Sequence, residues 1–339
     1  MKIAILGAGS IGTYVGGSLI TSGSDVVLIG RARMRERIES HGLRLTDLQG
    51  RCLELSSAQV VYTEDPAALA SADLILVTVK SADTSAAAEV IRGHAKPSAV
   101  LLSLQNGIGN AEVLAKALPG WTVLAGMVPF NVAQLPNSHL HRGTEGEISV
   151  QASPELRVWQ AAFQAAQLPL VAHADFTQVQ WGKLLLNLNN PVNALSGLPL
   201  KAELSQHAYR RCLALLIAEA LVILRHAGIR PAKVARIGPA VLPWLLRLPD
   251  WLFVRVAAAM LRIDEQARSS MWDDLQAGRR TEVDFLNGAV LKLAQSLGRD
   301  APLNRRMIAL VRGAEAGGQS VYSGAAMLKN LQHDRSVPI

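Results

Sequence analysis

The chain begins with the apolar run Ile3-Ala4-Ile5-Leu6, which passes without a spacer into Gly7-Ala8-Gly9-Ser10-Ile11-Gly12. A helical stretch from Ile11 to Ser22 follows, closed by Gly23. No other feature restricts the fold as much. A short buried strand, a G-x-G-x-x-G turn and a helix, in that order, make the opening of a dinucleotide-binding unit. The three glycines meet different steric needs. Gly7 permits the tight turn, Gly9 lets the backbone approach a pyrophosphate, and Gly12 lets the helix lie close on the sheet. The amides that open the helix, at Ser10, Ile11 and Gly12, then face the phosphates with the helix dipole behind them.

The second strand, Asp25-Val26-Val27-Leu28-Ile29, bears on which dinucleotide is bound. A site for NAD usually ends this strand in an acid that accepts from the ribose hydroxyls. Here the strand runs into Gly30-Arg31-Ala32-Arg33. No acid repels a 2′-phosphate, and the Arg31 guanidinium can clamp one, which points to NADP(H). The alternative is that Arg31 and Arg33 only solvate the start of the next helix.

Strands and helices go on alternating through the first half. Leu74–Val79 and Ala99–Leu104 read as buried strands, with helical Pro66–Ser71 before the first and Asn110–Leu118 after the second. Val123–Val128 leads through an expected hairpin to Ile148–Val150, and a helix over Pro154–Gln167 leads to a last strand at Leu170-Val171. This alternation predicts an α/β fold of Rossmann type, a doubly wound parallel sheet with helices on both faces, over residues 1–175. Ligands of such sheets lie at the carboxyl ends of the strands, here Thr78-Val79-Lys80 and Ser103-Leu104-Gln105-Asn106-Gly107. From 176 to 332 the periodicity is helical only, at Leu213–Leu224, Leu245–Met260, Met271–Gln276 and Val283–Leu297, which predicts an all-helical second domain and a tail at 333–339.

Composition narrows the class. Half of the 339 residues are hydrophobic, enough for two cores and against disorder before the tail. Cys52 and Cys212 match no zinc or redox spacing and suggest a reducing, cytoplasmic setting, with no signal peptide ahead of the first strand. The most apolar stretch, Val241 to Ile263, carries Arg247, Asp250, Arg255 and Arg262 with Pro243 and Pro249. It falls short of the ~20 uninterrupted apolar residues of a membrane span and reads as helices that bury themselves, with a subunit interface of a homodimer as one use. The net charge of +7 is spread without a basic run, so attraction for a phosphorylated cofactor and an anionic substrate explains it without nucleic acid. His139-Leu140-His141 has no partner at metal-binding spacing, and no metal site is expected.

Two constellations can carry chemistry. In Trp181-Gly182-Lys183-Leu184-Leu185-Leu186-Asn187-Leu188-Asn189-Asn190-Pro191, a continuous helix puts Lys183, Asn187 and Asn190 on one face among leucines. Such a helix is buried, so its polar face meets either a ligand or structural partners. The second is Ser269-Ser270-Met271-Trp272, followed by Gly278 and Thr281-Glu282-Val283-Asp284. Thr281 and Asp284 read as a capping box, with Glu282 in the first helical turn, where the dipole favours an acid with or without catalysis.

Taken together, the amino-terminal glycine turn, Val79-Lys80, Gln105-Asn106-Gly107, the Lys183–Asn187 helix and Ser269-Ser270-Met271 with Thr281-Glu282-Val283-Asp284 resemble the ketopantoate reductase (2-dehydropantoate 2-reductase) family over nearly the whole chain. The resemblance implies NADPH-dependent reduction of a 2-keto acid to a 2-hydroxy acid, 2-dehydropantoate to (R)-pantoate in pantothenate biosynthesis. It also implies Lys183 as general acid, Glu282 as the active-site acid also facing the cofactor, Asn187, Asn190, Ser270 and Asn106 on the substrate, and Asn106 and Lys80 near the nicotinamide. Two positions depart from the family pattern. Its second helix asparagine lies eight residues after the lysine, whereas Asn190 lies seven after Lys183, and Ala267 stands where the pattern has a substrate-binding asparagine. A related reductase of another 2-keto or β-hydroxy acid, or a non-catalytic NADP(H) sensor, are the alternatives.

Overall fold

The structure is a computed structural model that describes residues 1–233, 238–256 and 265–332. The chain divides into two compact units, Met1–Phe176 and Thr177–Ile339. The tail at 333–339 lies outside the described residues, as does the 257–263 part of the apolar stretch.

In the first unit the apolar runs become strands β1 (Lys2–Leu6), β2 (Asp25–Ile29), β3 (Leu43–Asp47), β4 (Cys52–Leu55), β5 (Val61–Thr63), β6 (Leu74–Val77), β7 (Val100–Ser103), β8 (Thr122–Met127), β9 (Val132–Leu135), β10 (His139–Arg142), β11 (Ile148–Gln151) and β12 (Leu170–His173). Between them run α1 (Ser10–Thr21), α2 (Ala32–His41), α3 (Thr84–His94), α4 (Asn110–Ala117) and α5 (Gln160–Ala165). The main sheet has the order β12-β11-β8-β7-β6-β1-β2-β5. Its neighbours pair parallel except β8 with β11. Successive residues of β1 enter opposite cores, as the pleat requires. Ile3 and Ile5 pack with Tyr14, Leu19 and Phe163, and Ala4 and Leu6 with Ala88, Ile91 and Leu114. Burial on both faces explains why β1, β2 and β6 read as unbroken apolar runs. The chain turns back at β1, which has β2 on one side and β6 on the other, so the loops after β1 and β6 flank the switch point.

The expected hairpin from β8 to β11 needs correcting. The two strands do pair antiparallel, but the chain between them forms its own hairpin, β9–β10, in a second sheet of order β4-β3-β10-β9. The reversal is made at Asn137 and Ser138, both with positive φ, a conformation asparagine tolerates better than most residues. The helix expected over Pro154–Gln167 begins as a 3-10 segment, Pro154–Trp159, before α5.

The second unit contains, among the described residues, α6 (Phe176–Asn187, its first residue in the first unit), α7 (Asn189–Ser196), α8 (Leu200–Leu204), α9 (His207–His226), α10 (Leu242–Leu246), α11 (Asp250–Val256), α12 (Ser270–Gln276), α13 (Val283–Ser296), α14 (Pro302–Glu315) and α15 (Gly324–Gln332). The helix predicted to run through Lys183, Asn187 and Asn190 is two helices. Pro191 has no N–H for the Asn187 carbonyl, and its ring would collide with that carbonyl in a continuing helix. The chain therefore stops at Asn187, passes Leu188 and restarts, with Pro191 in the new first turn, where a missing N–H costs nothing. Lys183 and Asn187 share α6, and Asn190 belongs to α7. The apolar stretch after Val241 breaks likewise at Pro249, between α10 and α11. It buries Leu242, Leu245, Leu246 and Phe253 but leaves Trp244, Trp251 and Val254 exposed, so burial is only partial. No helix among the described residues is long and apolar enough to cross a membrane.

Candidate active site

The glycine turn has the geometry its spacing predicts. Gly7 has φ +96, and a Cβ there would come within 2.5 Å of the Val79 backbone nitrogen, so only glycine fits. A Cβ on Gly12 would meet the Thr78 hydroxyl at 2.5 Å and Ile5 at 2.9 Å, so the missing side chain sets how close α1 lies to the sheet. Gly9 differs: its backbone is extended, it is exposed, and a Cβ would find only the Gly7 carbonyl oxygen, at 3.9 Å. Nothing among the described residues demands glycine there. The space a side chain would take lies over the start of α1, which has no side-chain cap, and a pyrophosphate fits that cradle. Among the predicted cofactor residues, Ser10, Ile11 and Gly12 form the first turn of α1, and Arg31 stands in solvent at the end of β2. The Arg31 guanidinium makes a screened contact with Asp83, at 4.0 Å.

Lys80 and Asn106 lie in the loops after β6 and β7. A polar network joins those loops, and Ser81, Thr84 and Asn110 within it carry no signal in the sequence pattern. Ser81 Oγ donates to the Asn106 carbonyl at 2.7 Å, and Asn110 Nδ2 donates to the same carbonyl at 2.8 Å and to Ser81 Oγ at 3.1 Å. Gln105 Nε2 donates to Thr84 Oγ1 at 2.8 Å. These groups are satisfied by one another, which holds the backbone of Asn106 in one place. Tyr62 is equally silent in the sequence; its hydroxyl donates to the Ala8 carbonyl at 3.2 Å beside the turn.

In the second unit, Leu184, Leu185 and Leu188 are fully buried and Trp181 nearly so. Gly182 faces the backbone of 229–233: a Cβ there would lie 2.8 Å from the Ala232 carbonyl oxygen, and the Ala232 amide donates to the Gln178 carbonyl. Lys183 keeps partial exposure, yet burial pushes its ammonium down to about 8, and the negative charge of Glu282 works in the opposite sense. The two groups therefore interact electrostatically.

Glu282 is the N-cap residue of α13, where the sequence reading puts it in the first turn, and the Thr281–Asp284 capping box does not form. Long-range partners take both groups first. The Thr281 amide donates to Glu315 Oε1 at 2.7 Å, Arg312 binds Glu315 Oε2 at 2.6 Å, and Arg312 also pairs with Asp284. The end of α14 thus fixes the segment that carries Glu282. Ser270 is the exposed first residue of α12, whose start is tied to α7: Ser269 Oγ donates to the Asn190 carbonyl at 3.2 Å and its amide to Asn193 Oδ1 at 2.9 Å. His139 and His141 turn instead to the Thr46 hydroxyl, at 2.7 and 2.8 Å.

A largely parallel sheet with this glycine turn, followed by a helical unit with a depressed lysine, defines a dinucleotide-binding protein of the two-unit kind. Residues 3–155 match the family model of ketopantoate reductase PanE/ApbA, and residues 175–315 that of its C-terminal region. The chain is 30% identical to a 2-dehydropantoate 2-reductase of Halobacterium salinarum, covering 94% of this chain and 100% of that one. It is 32% identical to one of Pyrococcus horikoshii, with 94% and 99% covered. Among solved structures, a PanE/ApbA family ketopantoate reductase of Ralstonia eutropha aligns with a TM-score of 0.79 and 31% identity over 94% of this chain and 99% of that one. The chain belongs to the ketopantoate reductase family, and it is an oxidoreductase with a nicotinamide cofactor, NADP(H) in this family.

Proposed function

We propose that this protein reduces a 2-keto acid to the 2-hydroxy acid at the expense of NADPH, with 2-dehydropantoate as substrate and (R)-pantoate as product. The observation that carries this reading is Lys183, a lysine whose burial brings it near neutrality and which answers to the charge of Glu282, on the helix before Asn190. The amides of Ser10, Ile11 and Gly12 would hold the pyrophosphate of NADPH, Arg31 its 2′-phosphate, and Lys80 and Asn106 would lie toward the nicotinamide, which when bound supplies a hydride. The charge then developing on the carbonyl oxygen needs a donor. Lys183 Nζ donates to that oxygen, stabilises the growing alkoxide and gives up its proton. Glu282 favours the charged form of Lys183, and Asn187, Asn190 and Ser270 orient the substrate. Ala267 offers no polar group where the family pattern has one, so loop shape weighs more in substrate choice.

The test is NADPH oxidation with a panel of 2-keto acids. Turnover fastest with 2-dehydropantoate supports the reading, a different preferred acid corrects the substrate, and no oxidation with any acid supports the sensor alternative. The acid role fixes a pH sign. Lys183 is protonated below about 8 and loses its proton as pH rises through that value. Reduction is therefore expected to fall tenfold per pH unit above about 8, while oxidation of the hydroxy acid rises as pH approaches about 8 and levels off above it, as paired pH–rate profiles would record. Replacing Arg31 with alanine is expected to raise the KM for NADPH about tenfold and leave that for NADH within about twofold, checked by steady-state kinetics with each cofactor.

A further inference from the structure

An acid that the reaction does not use lies against α7. Glu203, on α8, has no solvent exposure. Its Oε2 accepts from Asn189 Nδ2 at 3.0 Å and from Asn193 Nδ2 at 3.5 Å. The two asparagines are four residues apart on α7, so one helix face presents both amides to the acid. Arg210 is also fully buried, but its bonds go to the carbonyls of Leu204, Leu246 and Leu248 and to Asp250. Glu203 is thus held by amides. Burial pushes it up to about 8 against both asparagines and Arg210.

The link continues from Asn193 to the proposed substrate residues. Asn193 Nδ2 also donates to the Leu198 carbonyl at 3.0 Å, and Asn193 Oδ1 accepts the Ser269 amide at 2.9 Å. Ser269 caps α12 by accepting from the Trp272 amide at 3.2 Å, and its hydroxyl reaches the Asn190 carbonyl. Ser270 is the next residue. Among the described residues, Glu203 Oε1 and Asn189 Oδ1 are buried without a hydrogen-bond partner. A side chain serving only to fill space would do so at lower cost as a leucine or methionine.

We propose that Glu203, acting through Asn189 and Asn193, positions the Asn190 edge of α7 and the Ser269–Ser270 start of α12 and so sets the affinity for the keto acid; this rests on the reductase reading above. Glu203 touches no reacting atom and is a positioning residue.

The experiment compares wild type, Glu203→Ala and Glu203→Gln in steady-state kinetics with 2-dehydropantoate and NADPH, in thermal melting, and in amide hydrogen exchange over residues 267–273. Glu203→Ala is expected to raise the KM for 2-dehydropantoate about tenfold, leave the KM for NADPH within about twofold, and speed exchange at the start of α12. Glu203→Gln keeps an acceptor and the same volume and is expected to stay near wild type in all three. Should Glu203→Ala fail to fold, Asn193→Ser cuts the same link from the other side with the same expectation. An unchanged KM with unchanged exchange overturns the proposal, as does a glutamine variant as impaired as the alanine one. Wild type that oxidises NADPH with no keto acid defeats the reductase reading instead. Exchange then decides alone: acceleration confined to the start of α12 supports positioning, and none overturns it.

Discussion

Replacing Lys183 with alanine is expected to lower keto-acid turnover by about 10²-fold or more and to leave the dissociation constant for NADPH within about twofold. That loss equals about 2.7 kcal/mol or more of transition-state stabilisation, the size expected when a positioned acid is removed and water must protonate the alkoxide. NADPH binding is expected to be spared because the residues proposed to hold it, the glycine turn, Arg31 and Asn106, all belong to the first unit. The fold is spared too. Lys183 is partly exposed, and the leucines beside it make the buried face of α6. Single-turnover kinetics with a fluorescence titration of NADPH separates the two quantities. Turnover within about threefold of wild type would remove Lys183 from the mechanism. The variant should also lose the fall in rate above about pH 8, because the group responsible is gone.

Replacing Gly9 with valine is expected to weaken NADPH binding by about 100-fold or more while shifting the melting temperature by no more than about 2 °C. The two effects separate because Gly9 has an extended backbone that any residue adopts, and its Cβ would have only one neighbour, at ordinary contact distance. The valine methyls would instead occupy the proposed path of the pyrophosphate to the first amides of α1. Gly7→Ala makes the contrast. There φ is +96 and the new methyl would run into the Val79 backbone, so folding itself is expected to suffer. Calorimetric titration with NADPH beside thermal melting checks both. Valine at position 9 that binds NADPH normally would mean the phosphates lie elsewhere.

The parts of this molecule that can be read from the chain are those governed by local rules. The turn from Gly7 to Gly12, the buried runs of β1 and β6, and the stripe of α13 all follow from periodicity and steric need over a few residues. What the chain alone does not reveal depends on partners distant in sequence. Thr281 and Asp284 satisfy the local spacing of a capping box, but Glu315 and Arg312, about one helix pair away, take their hydrogen-bonding groups. Asn110 and Ser81 are ordinary polar residues until the sheet brings the β6 and β7 loops together. Glu203 has the sequence context of a surface residue on a short helix, and only tertiary packing buries it. The break at Leu188 is foreseeable from Pro191, whose reach back to the Asn187 carbonyl is a local effect.

That break has a consequence for how the chain tolerates changes of length. Removing one residue from an unbroken α-helix turns everything downstream by about 100° and moves it by about 1.5 Å, enough to aim a side chain away from its target. A joint between two short helices absorbs such a change in a few torsion angles. The segment between Lys183 and Pro191 is therefore a place where relatives can differ by a residue and still present their amides alike, and matching asparagines by counting from the lysine will mislead wherever the joint has moved.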